Sequence, residues 1–341
     1  MTQSNHIDYI DLIKGITITL ILYYHCPVPE DNHPMLMLSY TRIPTFVFLA
    51  GLFFSTYGNS FKRLMVKKAN RYIIPFAFFF TLSLPLKLFG ASVNEIKSFI
   101  YDVVINCNFC QYTPIWFLLM LLWLSLLTFA IEKASPTIPK WIKASLSITL
   151  SLAIFTANNM KLQYNITAHW LTIIYNLKIV ISLILFPVYY LPYLYRQQIL
   201  RPHNRRLMWI CLPIALLISY VSAKESIVYT NCTLGDSYLR LAAALSSGIF
   251  ILYFIGYMLK HLPYFSYVGR YSIIIFGTHC IALDILRHTY GIDNCYVLFT
   301  IAVIAAPAII YVFRRIFPHL TAQKEPLSID ERGHIKISFK D

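Results

Sequence analysis

The sequence predicts an all-α, polytopic membrane protein of about ten transmembrane helices, with both termini in the cytoplasm. Three observations carry that prediction: a charge-poor composition, a series of long apolar runs, and a lopsided distribution of Lys and Arg. The chain has 341 residues, 57% of them hydrophobic and only 13% charged, with a mean hydropathy of +0.59. Soluble domains are about 45–50% apolar and about 25% charged. The deficit of charge extends along the whole chain, which excludes a large soluble domain, a disordered chain and a coiled coil. Seven Cys do not make a disulfide framework.

A helix needs roughly 20 mostly apolar residues to cross a bilayer core about 30 Å thick. Ten runs approach that length: 8–25, 42–58, 72–90, 114–131, 143–158, 170–194, 207–222, 238–259, 271–287 and 295–313. The stretch from Phe117 to Ile131 contains no charge at all. Lipid cannot satisfy open backbone groups, so these runs are expected to be helices. The chain therefore divides into a transmembrane domain, 1–313, and a short polar cytoplasmic tail, 314–341. No cleavable leader is expected, because Asp8 and Asp11 precede the first apolar stretch and no small-residue cleavage pattern follows it.

Orientation follows from the cations. With the N-terminus inside, 21 of the 29 Lys and Arg residues fall in cytoplasmic loops, the tail or the base of the first span. The exceptions are Arg42, Lys87, Lys97, Lys161, Lys178, Lys224, Arg240 and Arg287. This is the positive-inside pattern of an even number of spans. It accounts for the net charge of +14 without a nucleic-acid partner. Membrane lipid is the expected surroundings, in a plasma or inner cell membrane.

Ionisable groups inside spans are expensive and mark functional sites. The first span carries Asp11, Lys14 and, eleven residues later, His25. Eleven residues are about 16 Å of helix and close to three turns, so Lys14 and His25 share nearly one face. Asp11 stands one turn below Lys14, at pairing distance. The structural alternative is a snorkelling Lys14 and an interfacial His25. The second span opens at Arg42, at the same end as His25, where an interfacial anchor is the plainer explanation. The stretch from Lys62 to Arg71 is read as a loop holding five cations in ten residues. Topology alone explains such a cluster, but Lys67, Lys68 and Arg71 could also clamp phosphate oxygens. The ninth span carries His279, the only other histidine well inside a span. Cys107 and Cys110 have no second pair nearby, so no metal site is expected. A local disulfide there, bridging among Cys26, Cys232 and Cys295, and free thiols are all open.

At these residues the sequence resembles the acyltransferase 3 family of multi-pass membrane O-acyltransferases, and most closely its branch that modifies polysaccharides. Asp11, Ile13, Lys14, Gly15, Ile16 and His25 match the family's first-span pattern. Ile43-Pro44-Thr45-Phe46-Val47-Phe48-Leu49-Ala50-Gly51 is similar to its second-span stretch. Lys68-Ala69-Asn70-Arg71 resembles its paired basic element, Pro114-Ile115-Trp116-Phe117-Leu118 its Pro-Leu-Trp-Phe-Leu signature, and Tyr271-Ser272 through His279 its late histidine element. Arg42 stands where that branch often has His, and Ala50 where Ser is usual.

The resemblance implies transfer of an acyl group from cytoplasmic acyl-CoA, acetyl-CoA in the simplest case, to a carbohydrate hydroxyl on the other side. Lys67, Lys68 and Arg71 would meet the nucleotide phosphates. His25, with Lys14 and Asp11 on its helix, would be the catalytic group, either as a base on the attacking hydroxyl or as an acyl carrier. Arg42 would stabilise an oxyanion or bind an acidic sugar, while Trp116 and His279 would line the acceptor site. The competing class is a transporter or flippase, which needs paired broken helices or mid-membrane acids, and for which Asp284 is the one late-span acid on offer. Nothing in the sequence fixes the sugar, the acyl length or whether the chain forms a homo-oligomer.

Overall fold

The computed structural model describes residues 8–27, 33–109, 114–224, 227–330 and 333–338. It is 75% helical with almost no strand. Among the described residues, five helices are long and apolar enough to cross a membrane, or six if a sharply bent pair counts as one span. The five are Phe61–Leu88, Trp116–Ala134, Arg205–Ser222, Tyr238–Leu259 and Cys295–Ile316.

Helix α1 (Asp8–His25) coincides with the first expected span. It keeps three charges, Asp8, Asp11 and Lys14, which sets it apart from an ordinary lipid-facing span. Helix α2 (His33–Leu52) begins well before the expected start at 42 and ends before 58. Arg42 does not mark a boundary: it is buried, 6% exposed, with its guanidinium carbon 3.2 Å from the centre of the Tyr24 ring. Pro44 lies inside the helix, tolerated as in other membrane helices.

The basic stretch is helical, not a loop. Helix α3 (Phe61–Lys68) runs through a π-helical turn at Ala69–Ile73 into α4 (Ile74–Leu88). Ser60 caps it by accepting from the Arg63 N–H. After α5 (Val93–Val104) come α6 (Trp116–Ala134) and α7 (Lys140–Gln163). The expected fifth span lies inside α7, but Ser145, Ser147, Thr149, Ser151, Thr156 and Asn158 dilute its apolar character. Its Lys143 is buried and salt-bridged to Glu132 at 3.1 Å.

The expected sixth span, 170–194, is broken into α8 (His169–Asn176), α9 (Ile179–Ile184) and α10 (Phe186–Leu194). The first break falls at Lys178, whose backbone is left-handed at φ 62°. The second precedes Pro187, which suits the first turn of a new helix. Beyond the single turn α11 (Arg196–Ile199), helices α12 (Arg205–Ser222) and α13 (Tyr238–Leu259) agree with the expected seventh and eighth spans. Helix α14 (Pro263–Arg270) meets α15 (Ser272–His288) at a bend of 88°, and α16 (Cys295–Ile316) closes the bundle.

The tail is more than a polar end. Strands β1 (Leu327–Ile329) and β2 (Ile335–Ile337) pair antiparallel and dock on the basic helix. Asn70, turned aside in the π-helical turn, donates to the Leu327 carbonyl at 2.7 Å and accepts from its N–H at 3.0 Å. Lys67 pairs with Glu325 at 2.5 Å, and Lys62 donates to the Gly333 carbonyl.

The tightest junction in the bundle is that of α1 with α14. A Cβ added to Gly15 would lie 1.8 Å from the Phe265 carbonyl oxygen, and one added to Gly269 would lie 1.8 Å from that of Asp11. The two backbones touch, and only glycine permits it at both positions. Gly269→Ala should therefore destabilise the folded protein by about 3 kcal/mol, the upper range for overpacking a rigid core. Thermal unfolding in detergent measures this, and an unchanged midpoint would mean that the helices separate freely.

Candidate active site

Two groups of predicted residues lie on opposite sides of a wall of phenylalanines. The first surrounds a cavity of about 570 Å³ bounded by α1, α2, α6, α14 and α15. Asp11, Lys14, Arg71, Arg270 and Gln323 line its polar part; Phe46, Phe117 and Phe276 line its apolar part. The close contact at Gly15 and Gly269 is what brings the cations together. It sets the Asp11 carboxylate, 7% exposed, between Lys14 at 3.4 Å and Arg270 at 3.3 Å. The bend after Arg270 then turns the chain so that Ser272, Ile273 and Phe276 face the same space.

The cation set differs from the expected one. Of Lys67, Lys68 and Arg71, only Arg71 lines the cavity. Lys68 is 2% exposed, with its ammonium 4.9 Å from the Phe54 ring centre and 5.1 Å from that of Tyr72. Such packing satisfies a cation by ring faces and leaves it away from the cavity. Lys67 points to Glu325 of the tail. Lys14 and Arg270 line the cavity with Arg71. Arg270 counts in the sequence as one more loop cation, and only its position directly before Tyr271-Ser272 signals its role.

The second group holds the histidines. His25 ends α1 and its ring centre is 4.9 Å from that of His279 on α15. His279 is 3% exposed. Its Nδ1 is 3.0 Å from the Ile275 carbonyl oxygen, and since a carbonyl only accepts, Nδ1 carries the proton. That leaves the lone pair on Nε2, which is buried with no hydrogen-bond partner. Arg287, unremarkable in the sequence, donates to the His25 carbonyl at 2.7 Å. Arg42 has a buried Nη1 without a partner. Ligand atoms of His25, His279 and Cys280 lie within 4.8 Å of one another, a spacing that would allow a metal ion. The guanidinium groups of Arg42 and Arg287 lie near the His25 imidazole, which favours an anion or a polarised carbonyl there over another cation.

A continuous series of rings connects the two groups. Phe46 is 5.9 Å from Phe117, Phe117 is 5.1 Å from Phe276, and Phe276 is 6.0 Å from His279, centre to centre. Phe276 stands one helical turn before His279, so a single aromatic layer separates the cavity from the imidazoles. Sequence reasoning missed Phe276 because nothing distinguishes it from any other membrane Phe.

Trp116 is buried, 5% exposed, packed on Phe117 and 6.0 Å from the Lys178 ammonium; stacking on a sugar would require it to be uncovered. Cys26, Cys232 and Cys295 are free thiols, and Cys110 lies outside the described residues. A separate, polar pocket of about 480 Å³ is lined by Asn108, Tyr175, Asn176, Thr230, Lys161 and Lys178, among others.

No curated protein and no solved structure matches the chain. A family profile does: the acyltransferase domain of the acyltransferase 3 type aligns with residues 7–315. That match contains the cations of the cavity and the His25–His279 pair, and covers nearly the whole sequence, so the chain belongs to the acyltransferase 3 family and is a membrane acyltransferase.

Proposed function

We propose that the protein transfers an acyl group, acetyl in the simplest case, from cytoplasmic acyl-CoA to a carbohydrate hydroxyl across the membrane. The observation that carries this reading is the cavity with cations at one part and a phenylalanine wall against the histidines at the other. Lys14, Arg71 and Arg270 hold the phosphates of the donor, with Asp11 fixing two of them in place. Guanidinium groups suit phosphate because their paired donors match its oxygens. The pantetheine arm enters along Ala50, Leu118 and Phe117, and displacement of the Phe276 ring admits the thioester to His25.

His25 then acts as general base. It removes the proton of the acceptor hydroxyl as that oxygen attacks the thioester carbonyl. The carbon–sulfur bond breaks, and the proton passes to the departing thiolate of CoA. The Nε2 lone pair of His279 stabilises His25 while it is protonated. The unpartnered Nη1 of Arg42 faces the developing oxyanion. The polar pocket near Lys178, rich in carboxamides and hydroxyls, supports a saccharide as the acceptor. The cytoplasmic position of both termini, and of the cationic end of the cavity, follows from the positive-inside bias. The cell membrane is the proposed location. Two broken segments, α8 to α10 and α14 with α15, are features a transporter would share, but the second places Arg270 beside Asp11 and so has a role in the acyltransferase reading.

Membranes supplied with radiolabelled acetyl-CoA should label a polymer or lipid-linked sugar. Full-length His25→Ala should reach the membrane and lose about 10³-fold in transfer, as expected for loss of a positioned base; full activity would remove His25 from the chemistry.

Arg71→Ala and Arg270→Ala should each raise the KM for acetyl-CoA about tenfold, the loss of one charge-assisted hydrogen bond. Lys67→Ala, which touches the tail and not the cavity, should leave that KM within about twofold. The reverse ranking, read in the same assay, would return the donor site to the outer face of α3.

Phe276→Ala should open the wall and raise hydrolysis of acetyl-CoA in the absence of acceptor. Release of free CoA measures it, and a rate equal to wild type would mean that the thioester does not pass this ring.

A further inference from the structure

A second, apolar cavity plays no part in the reaction above. It measures about 750 Å³ and lies along α10, α12 and α13, on the other side of α2 from the donor cavity. Phe48, Val188, Leu191, Leu245 and Ile249 make its floor apolar. Leu239, 79% exposed, stands at its rim. Helix α13 lines it from Tyr238 to Tyr253, which is about 22 Å of helix. That is more than one leaflet's share of a core about 30 Å thick. It is therefore an elongated groove with room for an extended hydrocarbon chain.

One end of the groove is different. Ile199, His203 and Met208 line it there, and His203 is held by its ring nitrogen 2.8 Å from the Ile199 carbonyl oxygen. Flanking His203 in the chain are Arg201, Arg205 and Arg206, all exposed. No Asp or Glu occurs anywhere between Lys133 and Lys224, so the neighbouring elements α7 to α12 offer these cations no carboxylate. Arg196 is set apart, over the Phe53 ring at 5.5 Å. The positive-inside bias explains why cations lie at this end of the helices. It does not explain why an apolar groove ends at His203, which these arginines flank in the chain.

We propose that this groove is a binding site for an anionic phospholipid. One acyl chain lies along α13, and the phosphate is held by Arg201, Arg205 and Arg206. A soluble anion would leave the apolar floor uncovered, and a neutral lipid would leave the three guanidinium groups without a counter-charge. The complementarity of both ends to one amphiphile is the argument. The site would secure the packing of α12 on α13 and is independent of the acyl-transfer reading.

The test uses the full-length protein purified in detergent, with phosphatidylglycerol or phosphatidylcholine added. Native mass spectrometry reads the retained lipid and thermal unfolding reads its effect. Phosphatidylglycerol should be retained and should raise the unfolding midpoint; phosphatidylcholine should do neither. Each surface cation adds about fivefold to the affinity for an anionic headgroup. Arg205→Gln with Arg206→Gln should therefore weaken phosphatidylglycerol binding about 30-fold, with an unchanged midpoint in phosphatidylcholine as the check on folding. Ser246→Trp, which fills the groove, should abolish retention. Soluble glycerol phosphate at equal concentration should not compete. Equal retention of the two lipids, unchanged binding in the arginine double variant, or full competition by glycerol phosphate would each overturn the proposal.

Discussion

The buried carboxylate of Asp11 organises the cation-lined half of the bundle. A carboxylate removed from water is several kcal/mol unfavourable unless paired, and here Lys14 from its own helix and Arg270 from α14 pair with it. That pairing requires the two helices to approach until their backbones touch, which Gly15 and Gly269 allow. Everything else about the cation-lined cavity follows from this contact. The bend after Arg270 turns α15 into the membrane, Arg71 completes a cationic rim around a partly neutralised centre, and α15 delivers His279 beside His25.

The same arrangement explains why the site has two compartments. His25 lies three turns along α1 from Lys14, and His279 lies about two turns along α15 from Ser272, just past the bend that follows Arg270. Two helices that touch at one end thus present cations there and imidazoles at the other. Phe117 and Phe276 fill the interval, and in the proposed reaction this apolar layer would keep the nucleotide and the attacking hydroxyl apart. Such separation suits a reaction whose competing path is hydrolysis of the thioester. The tail hairpin adds a cover on the cationic side: Asn70 grips Leu327 by both backbone groups, and Gln323 reaches the cavity itself.

Much of this was legible in the sequence, for definite reasons. Charge inside an apolar run is rare enough to stand out, so Asp11, Lys14, His25, Arg42 and His279 were visible before any fold. Long uncharged runs fixed α6, α12, α13 and α16 to within a few residues. What failed was anything that depends on neighbours distant in the chain. Lys68 reads as a solvated cation but is sandwiched between Phe54 and Tyr72. The stretch 170–194 reads as one span, yet the left-handed backbone at Lys178 and the proline at 187 divide it into three. Arg270 looks like an ordinary loop cation and Arg287 like a scattered exception at the end of a span, and only the fold shows one beside Asp11 and the other on the carbonyl of His25. The tail hairpin gave no signal, since its strands are three residues each and their partner is a helix side chain.

The central claim is that the acyl donor occupies the cavity between α1, α6, α14 and α15, with its acyl end against the Phe117–Phe276 wall. Photo-crosslinking with an acyl-CoA that carries the reactive group on its acyl chain, followed by peptide mapping, tests this most directly. The account predicts adducts in the segments around Phe46, Phe117 and Phe276, suppressed by excess acetyl-CoA. Adducts confined to the apolar groove of α10 and α13, or a pattern indifferent to acetyl-CoA, would contradict it.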